Sequence, residues 1–430
     1  MREKSLIKTG KVFASILVIS MVCGLGVLQT KFTNGPQLVS IQELPESSEM
    51  CSWEAVAPQQ DNLFAAFNAG SVYAASEGAD TMDVTRPPVR TIRDTYPIYS
   101  SIAIDTQFDE VILQDTNLFG IKVFNRLDNT PANAEFTSPK RVIEGESTRL
   151  EYNNGLYVDP KNGDIYSVAS DTADDMIVFP HNASGNTAPI RRLRTPHRNF
   201  ATAVDEEKGE VFITIQYPPK VVVYRKQASD DEKALRVLEG DHTGLADAHG
   251  MAIDVKKRLL FVSNWGNASD YRVPGTGKFY PPSITVYPLD ANGDVTPVRT
   301  IQGPKTQLDW AGGMSLDPDS GLLYIANDQG NSVLVFRETD QGDVAPARIM
   351  KGSKTGLKNP TSVAIDAKNK EIWVSNLGNS SATCYSLNAN GDAAPLRTIR
   401  SAPAGRKSVK FGKPQAVAYD SKREQYLVPN

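Results

Sequence analysis

NPTSVAIDAKNKEIWVSN (359–376) holds two short apolar runs on either side of a polar turn. Runs of this length, rich in β-branched and aromatic residues, predict two antiparallel strands joined as a hairpin. The first run has the form of a small residue, two or three apolar residues and then Asp. This form recurs through the chain as SIAID (101–105), GLYVD (155–159), ATAVD (201–205), GMAID (250–254), GMSLD (313–317), SVAID (362–366) and AVAYD (416–420).

Two further apolar runs complete the repeating unit. ITVYP (284–288) is an example of the third run, and PVRTIQG (297–303) is an example of the fourth. Four short strands in a repeat of about 50 residues are typical of a β-propeller blade. No 12-residue window inside 88–430 keeps a 3.6-residue period, so helical repeats are excluded.

The last copy of the repeat ends at Asn430 after only two strands. SVYAAS (71–76) fits a missing third strand, and PVRTIRD (88–94) fits a missing fourth strand. The sequence therefore predicts an all-β, seven-bladed β-propeller of four-stranded antiparallel blades over residues 70–430. In this prediction the N- and C-terminal strands share the last blade and close the ring, which removes an exposed sheet edge.

The N-terminal segment predicts export. Residues 1–11 contain four basic side chains, and residues 12–28 contain no charge. A basic region before an apolar run is typical of a signal peptide or a signal anchor, which we assign to residues 1–29. Residues 30–69 are then a linker. We expect a periplasmic, extracellular or membrane-anchored protein with the propeller outside the cytoplasm, and both cleavage and retention of the segment stay open.

Composition narrows the function classes. The formal net charge is only -4, and no basic stripe of the kind that binds nucleic acid is present. Three cysteines, without a CxxC pair, give neither a disulfide framework nor a zinc site. We expect a monomer without a cofactor, whose partner is a protein, a peptide or a glycan.

Two stretches carry a resemblance to known repeat families. NPTSVAIDAKNKEIWVSN (359–376) resembles an NHL repeat, and GLLYIANDQGNSVLVF (321–336) is similar to the YVTN-type repeat of bacterial surface and lactonase-like propellers. The resemblance covers about 70–430 and implies the propeller fold. It implies no particular activity, because these repeats are structural and serve unrelated functions.

The recurring residues are expected to be structural. An Asp at the end of strand one is placed to cap backbone N–H groups of the following turn. The Arg of strand four is expected to be solvated or to contact the next blade. The small residue four positions before each Asp fits the crowding of inner strands around the propeller axis.

Function is expected at positions that do not repeat. The loop that precedes strand one and the loop that follows strand two share the face around the central channel, the usual binding surface of a propeller. The predicted ligand-binding residues of this face are Tyr99, Asn153, Arg198, His249, Trp310, Asn359 and Lys413. The ends of strand two carry Asp115, Asn264, Asn327, Asn376 and Asn430, which either cap the strands or contact a ligand.

The fourth unit has a long loop between strands two and three, WGNASDYRVPGTGKFYPPS (265–283). It is either a lid or partner-contact loop, or a tolerated surface insertion. Its candidate contact residues are Trp265, Tyr271, Arg272 and Tyr280.

His249 is the candidate catalytic residue, because Asp247 is near it in the same loop. No HExxH or GxSxG motif is present. The resemblance to lactonase-like propellers implies a channel calcium ion held by Glu, Asn and Asp, and Asp115, Asn264 and Asn327 are the candidate ligands. The first hypothesis is a non-catalytic binding module, and the alternative is a metal-dependent lactonase- or lyase-like enzyme.

Overall fold

The computed structural model describes residues 90–95, 98–116, 118–169, 172–270, 272–367, 369–399 and 416–429. The chain divides into the units Met1–Ala79 and Asp80–Asn430, and all described residues belong to the second unit. The predicted signal segment 1–29 and linker 30–69 lie outside the described residues. In the described part of the chain, no helix has the length and hydropathy that crossing a membrane requires.

Six antiparallel sheets of four strands each follow one another along the chain, and each sheet is one blade of a propeller ring. Blade 1 contains β1 (Tyr99–Asp105), β2 (Glu110–Asp115), β3 (Gly120–Asn125) and β4 (Arg141–Glu144); blade 2 contains β5 (Asn153–Val158), β6 (Ile165–Ala169), β7 (Asp175–Phe179) and β8 (Arg191–Arg194); blade 3 contains β9 (Asn199–Asp205), β10 (Glu210–Ile215), β11 (Lys220–Arg225) and β12 (Arg236–Leu238).

The second half of the ring repeats this order. Blade 4 contains β13 (Ala248–Asp254), β14 (Leu259–Asn264), β15 (Ser283–Pro288) and β16 (Arg299–Gln302); blade 5 contains β17 (Ala311–Asp317), β18 (Leu322–Asn327), β19 (Ser332–Arg337) and β20 (Arg348–Met350); blade 6 contains β21 (Pro360–Asp366), β22 (Glu371–Asn376), β23 (Ser381–Ser386) and β24 (Arg397–Ile399). Short 3-10 turns lie at Glu146–Thr148, Pro304–Thr306 and Leu377–Asn379.

The C-terminal residues form a two-stranded sheet, β25 (Ala418–Asp420) and β26 (Gln425–Leu427). One side of it packs on blade 6, where the ring of Tyr426 stacks on Trp373 at 4.1 Å. On the other side Leu427 packs with Ile92 and the apolar side chains of blade 1. The C-terminal sheet therefore lies between the last blade and the first blade.

The prediction of seven four-stranded blades is wrong, because the described residues form six four-stranded blades and a two-stranded C-terminal sheet. Of the predicted fourth strand PVRTIRD (88–94), the described residues 90–94 form no strand, and the predicted third strand SVYAAS (71–76) lies outside the described residues. A fourth strand needs a third strand as its ladder partner. Thr91 instead bonds to the outer loop of blade 1, accepting from the Thr130 N–H at 2.8 Å.

The hydrophobic core lies between consecutive blades. Each of five core clusters combines the buried strand residues of one blade with those of the next. The third strand contributes large aromatic residues, whose hydroxyls still find partners: Tyr287 donates to Thr243 O at 2.6 Å and Tyr385 donates to Thr355 O at 2.6 Å. At these two positions the burial of the aromatic ring contributes apolar stabilisation while the hydroxyl keeps a hydrogen-bond partner.

The recurring Asp residues cap turns, as the sequence predicts. Asp105 Oδ1 accepts the N–H groups of Gln107 and Phe108 at 2.9 and 3.0 Å. The same carboxylate position is buried in every copy: Asp105, Asp159, Asp205, Asp254, Asp317, Asp366 and Asp420. These residues therefore build the hairpin of strands one and two rather than a functional ring.

The strand-four Arg residues of blades 2, 3 and 5 contact the next blade, which is one of the two predicted roles. Arg191 donates to Lys226 O of the next blade at 3.1 Å, and Arg236 donates to Leu289 O of the next blade at 3.4 Å. Within its own blade, Arg236 also forms a two-point ion pair with Glu210. Arg236 thus bonds both to its own sheet and to the following one, whereas Arg141 and Arg397 bond within their own blades.

Crowding at the inner strands is visible at Gly250. A Cβ atom there would lie 2.2 Å from Gly312 O on the inner strand of blade 5 and 2.6 Å from Ser263 Oγ. Neither distance is tolerable, so the predicted packing requirement for a small residue holds at this position.

Candidate functional site: the channel mouth of blades 3 to 6

The mouth is built from a repeated backbone arrangement. In blades 3 to 6 the residue that precedes strand one has a left-handed backbone, and its carbonyl accepts the N–H of the residue that follows strand two. Non-glycine residues adopt this conformation rarely and at a cost. The pairs are Arg198 (φ 66°) with Gln216, Asp247 (φ 55°) with Trp265, Trp310 (φ 53°) with Asp328 and Asn359 (φ 43°) with Leu377.

Four aromatic rings from blades 3, 4 and 5 form a continuous stack, which we call the mouth stack: Phe200, His249, Trp265 and Trp310. The rings of His249 and Trp265 are parallel within 11°, with centroids 3.5 Å apart. Trp265 stacks on Trp310 at 4.5 Å, and Phe200 contacts the other side of His249 at 3.9 Å. Trp310 ends the stack and is 44 % exposed.

A polar network fixes the His249 end of the stack. The buried Asp247 carboxylate accepts from the Tyr217 hydroxyl at 2.6 Å and lies 3.2 Å from His249 Nδ1. Gln216 Nε2 also donates to Asp247, at 3.2 Å. Burial and the bond to Asp247 both raise the pKa of Tyr217, so its hydroxyl stays protonated. The Arg198 guanidinium lies over the Tyr217 ring, 5.5 Å from its centroid.

Two more carboxylates lie at the Trp310 end. Asp309 precedes Trp310, and Asp328 accepts a hydrogen bond from Asn359 Nδ2 at 2.9 Å. Burial raises the pKa of both carboxyls, and the nearness of Asp309 raises that of Asp328 further, against the opposing effects of Asn359 and His249. Within the part of the chain that the structure describes, Asp247, Asp309 and Asp328 have no ion pair with Lys or Arg; Asp247 pairs only with His249.

The long loop of blade 4 is an ordered arm. Ala268 N–H donates to Lys278 O at 2.9 Å and Tyr280 N–H donates to Gly266 O at 2.8 Å, so the two halves of the loop pair as a hairpin. Gly266 has φ 117°, and a Cβ atom there would lie 2.1 Å from Tyr280 O. Phe279, which pairs with Asn267 close to the base of the arm, is 81 % exposed.

The arm is joined to the mouth at its base. Trp265 belongs to the mouth stack and donates through Nε1 to Ala311 O at 2.9 Å. Asn267 of the arm lies near the Tyr217 side chain and lowers the pKa of its hydroxyl, against the larger raising effects of burial and Asp247. Of the predicted loop residues, Trp265 is in the stack, Tyr280 is half-exposed, Arg272 bonds to Asp270 at 2.8 Å, and Tyr271 lies outside the described residues.

The predicted ligand-binding residues divide into two groups. Arg198, His249, Trp310 and Asn359 come together in the mouth of blades 3 to 6. Tyr99 and Asn153 do not join them: Tyr99 is buried and donates to Asp94 at 2.5 Å, and Asn153 is buried and donates to Ser167 Oγ at 2.6 Å. Lys413 lies outside the described residues.

The candidate calcium ligands are occupied by their own blades. Asn264 Oδ1 accepts the Ala246 N–H at 3.0 Å, and Asn327 Oδ1 accepts the Asp309 N–H at 2.7 Å. Asp115 lies apart from them in blade 1, and its carboxylate is 3.2 Å from Lys122 Nζ. These residues cap strand ends and do not fit a calcium site. No group of three or more His, Cys, Asp or Glu among the described residues is arranged to hold a metal ion.

Several residues of the mouth escape the sequence prediction. Each follows strand two by one or two positions, or stands beside a predicted residue: Phe200, Gln216, Tyr217, Asp309 and Asp328. The signal that would have found Gln216 and Asp328 is their place directly after the last residue of strand two, because that position pairs with the predicted mouth residue of the same blade.

No protein-family model matches this chain, and no curated protein sequence matches it either. Fold and site therefore define the class: a β-propeller with an aromatic and acidic channel mouth.

Proposed function

We propose that this protein is a non-catalytic binding module that holds a protein, peptide or glycan ligand at the channel face. The observation that carries the proposal is the half-exposed Trp310 at the open end of the mouth stack. A preformed aromatic surface loses little conformational freedom on binding, and tryptophan is among the residues that dominate binding energy at interfaces.

The surroundings of His249 support binding over catalysis. Its two ring faces contact Phe200 and Trp265, and Nδ1 faces Asp247 and Gln216. Such contacts hold the imidazole as a structural layer of the stack. The lactonase- or lyase-like alternative relied on Asp115, Asn264 and Asn327, which cap their own strands, and no observation favours it.

We also propose that the repeat is of the NHL or YVTN type and that the protein is exported through residues 1–29. The motifs at 359–376 and 321–336 support the first proposal, and the basic-then-apolar N-terminus supports the second. Fusing residues 1–40 to a reporter that is active only outside the cytoplasm tests export: we expect reporter activity, and a silent fusion contradicts it.

The binding proposal is tested with the full chain on arrays of immobilised peptides and glycans. We expect retained ligands to lose about tenfold or more in affinity for Trp310→Ala, an effect of about 1.4 kcal/mol. Phe136→Ala is the matched control, because Phe136 is 43 % exposed in an outer loop of blade 1. Equal affinity of Trp310→Ala and the wild type would contradict the proposal.

A further inference from the structure

We propose, resting on the proposed function, that the ligand of the mouth is an extended peptide segment with a basic side chain. Its Lys or Arg lies on the exposed ring of Trp310, between the carboxylates of Asp309 and Asp328. The exposed face of the Trp310 ring is the proposed contact surface, and the negative charge near it favours a cationic side chain.

The carboxylates of the mouth differ from those elsewhere in the ring. Buried carboxylates of this protein usually have a basic partner, as Glu110 has Arg141, Asp205 has Arg258 and Asp159 has Lys226. Asp328, which is partly buried, and Asp309, which is exposed beside Trp310, have no ion pair with Lys or Arg among the described residues. Desolvation raises the pKa of both carboxyls; the nearby Asp309 raises that of Asp328 further, while Lys351 lowers that of Asp309. A cation placed between them would relieve both effects.

The aromatic ring points to the same partner. The face of an indole ring carries a negative quadrupole and attracts ammonium and guanidinium groups. A guanidinium over Trp310 would also donate charge-assisted hydrogen bonds to a neighbouring carboxylate. The chain itself contains this pairing, since the Arg397 guanidinium lies 5.4 Å from the Trp373 ring centroid and also bonds to Glu371.

The arm favours a peptide over a small cation. The arm starts at Trp265 inside the mouth stack and carries exposed Phe279, Tyr280 and Val273. An extended segment anchored by one basic side chain at Trp310 has apolar surface next to it for its other side chains. A neutral glycan would use the ring face but would gain nothing from the charge of Asp328.

The test uses a heptapeptide with a single arginine among glycine and serine residues, and its twin with neutral citrulline instead. Binding to the full chain is followed by tryptophan fluorescence at low and high salt. We expect the arginine peptide to bind about tenfold more tightly than the citrulline peptide, and the difference to disappear in Asp328→Asn. Salt should weaken binding of the arginine peptide.

Asp309→Asn is the second variant, and Asp319→Asn, an exposed carboxylate in a turn of blade 5, is the control. Equal binding of the two peptides to the wild type would overturn the basic-ligand proposal. If a neutral oligosaccharide binds with dependence on Trp310 and not on Asp328, the ligand class is wrong while the proposed function stands. If neither probe nor any arrayed ligand depends on Trp310, both proposals fail.

Discussion

Arg126 and Asp420 form an ion pair with both side chains fully buried, in which Arg126 Nε lies 2.7 Å from Asp420 Oδ2. The pair connects blade 1 to the C-terminal sheet. Lys226 of blade 3 makes the corresponding contact to Asp159 of blade 2, also at 2.7 Å. The joint between the chain's C-terminus and the first blade therefore uses the same kind of bridge as an internal joint of the ring.

Replacing Asp420 by Asn should strongly destabilise the protein. The change removes the nearer carboxylate partner of the buried Arg126 and leaves only Asp109 Oδ1, at 3.8 Å, so we expect a loss near the lower end of the roughly 3–5 kcal/mol that breaking a buried ion pair costs. Urea unfolding of the full chain measures the loss. Lys256→Ala is the control, because Lys256 and Asp319 are both mostly exposed. Equal unfolding midpoints for the two variants would show that the C-terminal joint contributes nothing to stability.

Gly250→Ala should destabilise the inner ring by about 1–3 kcal/mol, because the added methyl group meets Gly312 O of the next blade. Gly277→Ala in the arm is the matched control, since the nearest atom to its Cβ would be Ser269 Oγ at 3.5 Å. Thermal unfolding compares the two variants. A Gly250→Ala protein as stable as Gly277→Ala would contradict the crowding described for the inner strands.

Acidification should lower the free energy of unfolding, because it protonates Glu110. Burial opposes the charge of Glu110, but hydrogen bonds from Arg141 and Lys140 outweigh it and lower its pKa to about 2. A lowered pKa contributes stability above the ordinary value of 4.5, and this contribution is lost as the pH falls from 4.5 towards 2.

The Glu110→Gln variant lacks this contribution at neutral pH, so the stability gap between it and the wild type should narrow on acidification over this range. Urea unfolding at several pH values measures the gap. The exposed Glu144→Gln variant provides the comparison. A gap for Glu110→Gln that does not change between pH 5 and 2 would refute the assignment.

Binding of a basic peptide at the mouth should be lost at a higher pH than the ordinary Asp pKa of 3.8, because burial raises the pKa of Asp328 and Asp309. Protonation of these carboxylates removes their attraction for the basic side chain. Titrating the arginine heptapeptide between pH 7 and 4 measures this, with circular dichroism as the check on folding. Unchanged affinity down to pH 4 would contradict the role of these carboxylates.

The sequence predicts much of the fold, because local patterns determine it. The hairpin of strands one and two follows from its apolar runs, and the caps such as Asp105 follow from turn chemistry. The blade number is wrong because the seventh four-stranded blade is predicted from the spacing of SVYAAS and PVRTIRD to the pattern of the other units. Spacing does not show whether a ladder forms, and residues 90–94 form none.

The sequence predicts part of the site, namely the positions that local patterns determine, but not the contacts that depend on packing between blades. Arg198 and Trp310 stand out because they interrupt a repeat, so their positions could be found from the chain alone. Whether Asn264 caps a strand or faces a ligand depends on where its amide finds partners, which the sequence does not contain. The stacking of Trp265 between residues of two other strands likewise arises only when blades 4 and 5 pack together.

The central claim is that the mouth stack is the surface that a ligand covers. Hydroxyl-radical footprinting of the full chain, with and without the tightest ligand from the arrays, tests it directly. The account predicts that oxidation of Trp310 falls on ligand addition while oxidation of the exposed Phe136 stays constant. Oxidation of Trp310 that is unchanged at a saturating ligand concentration would contradict the account.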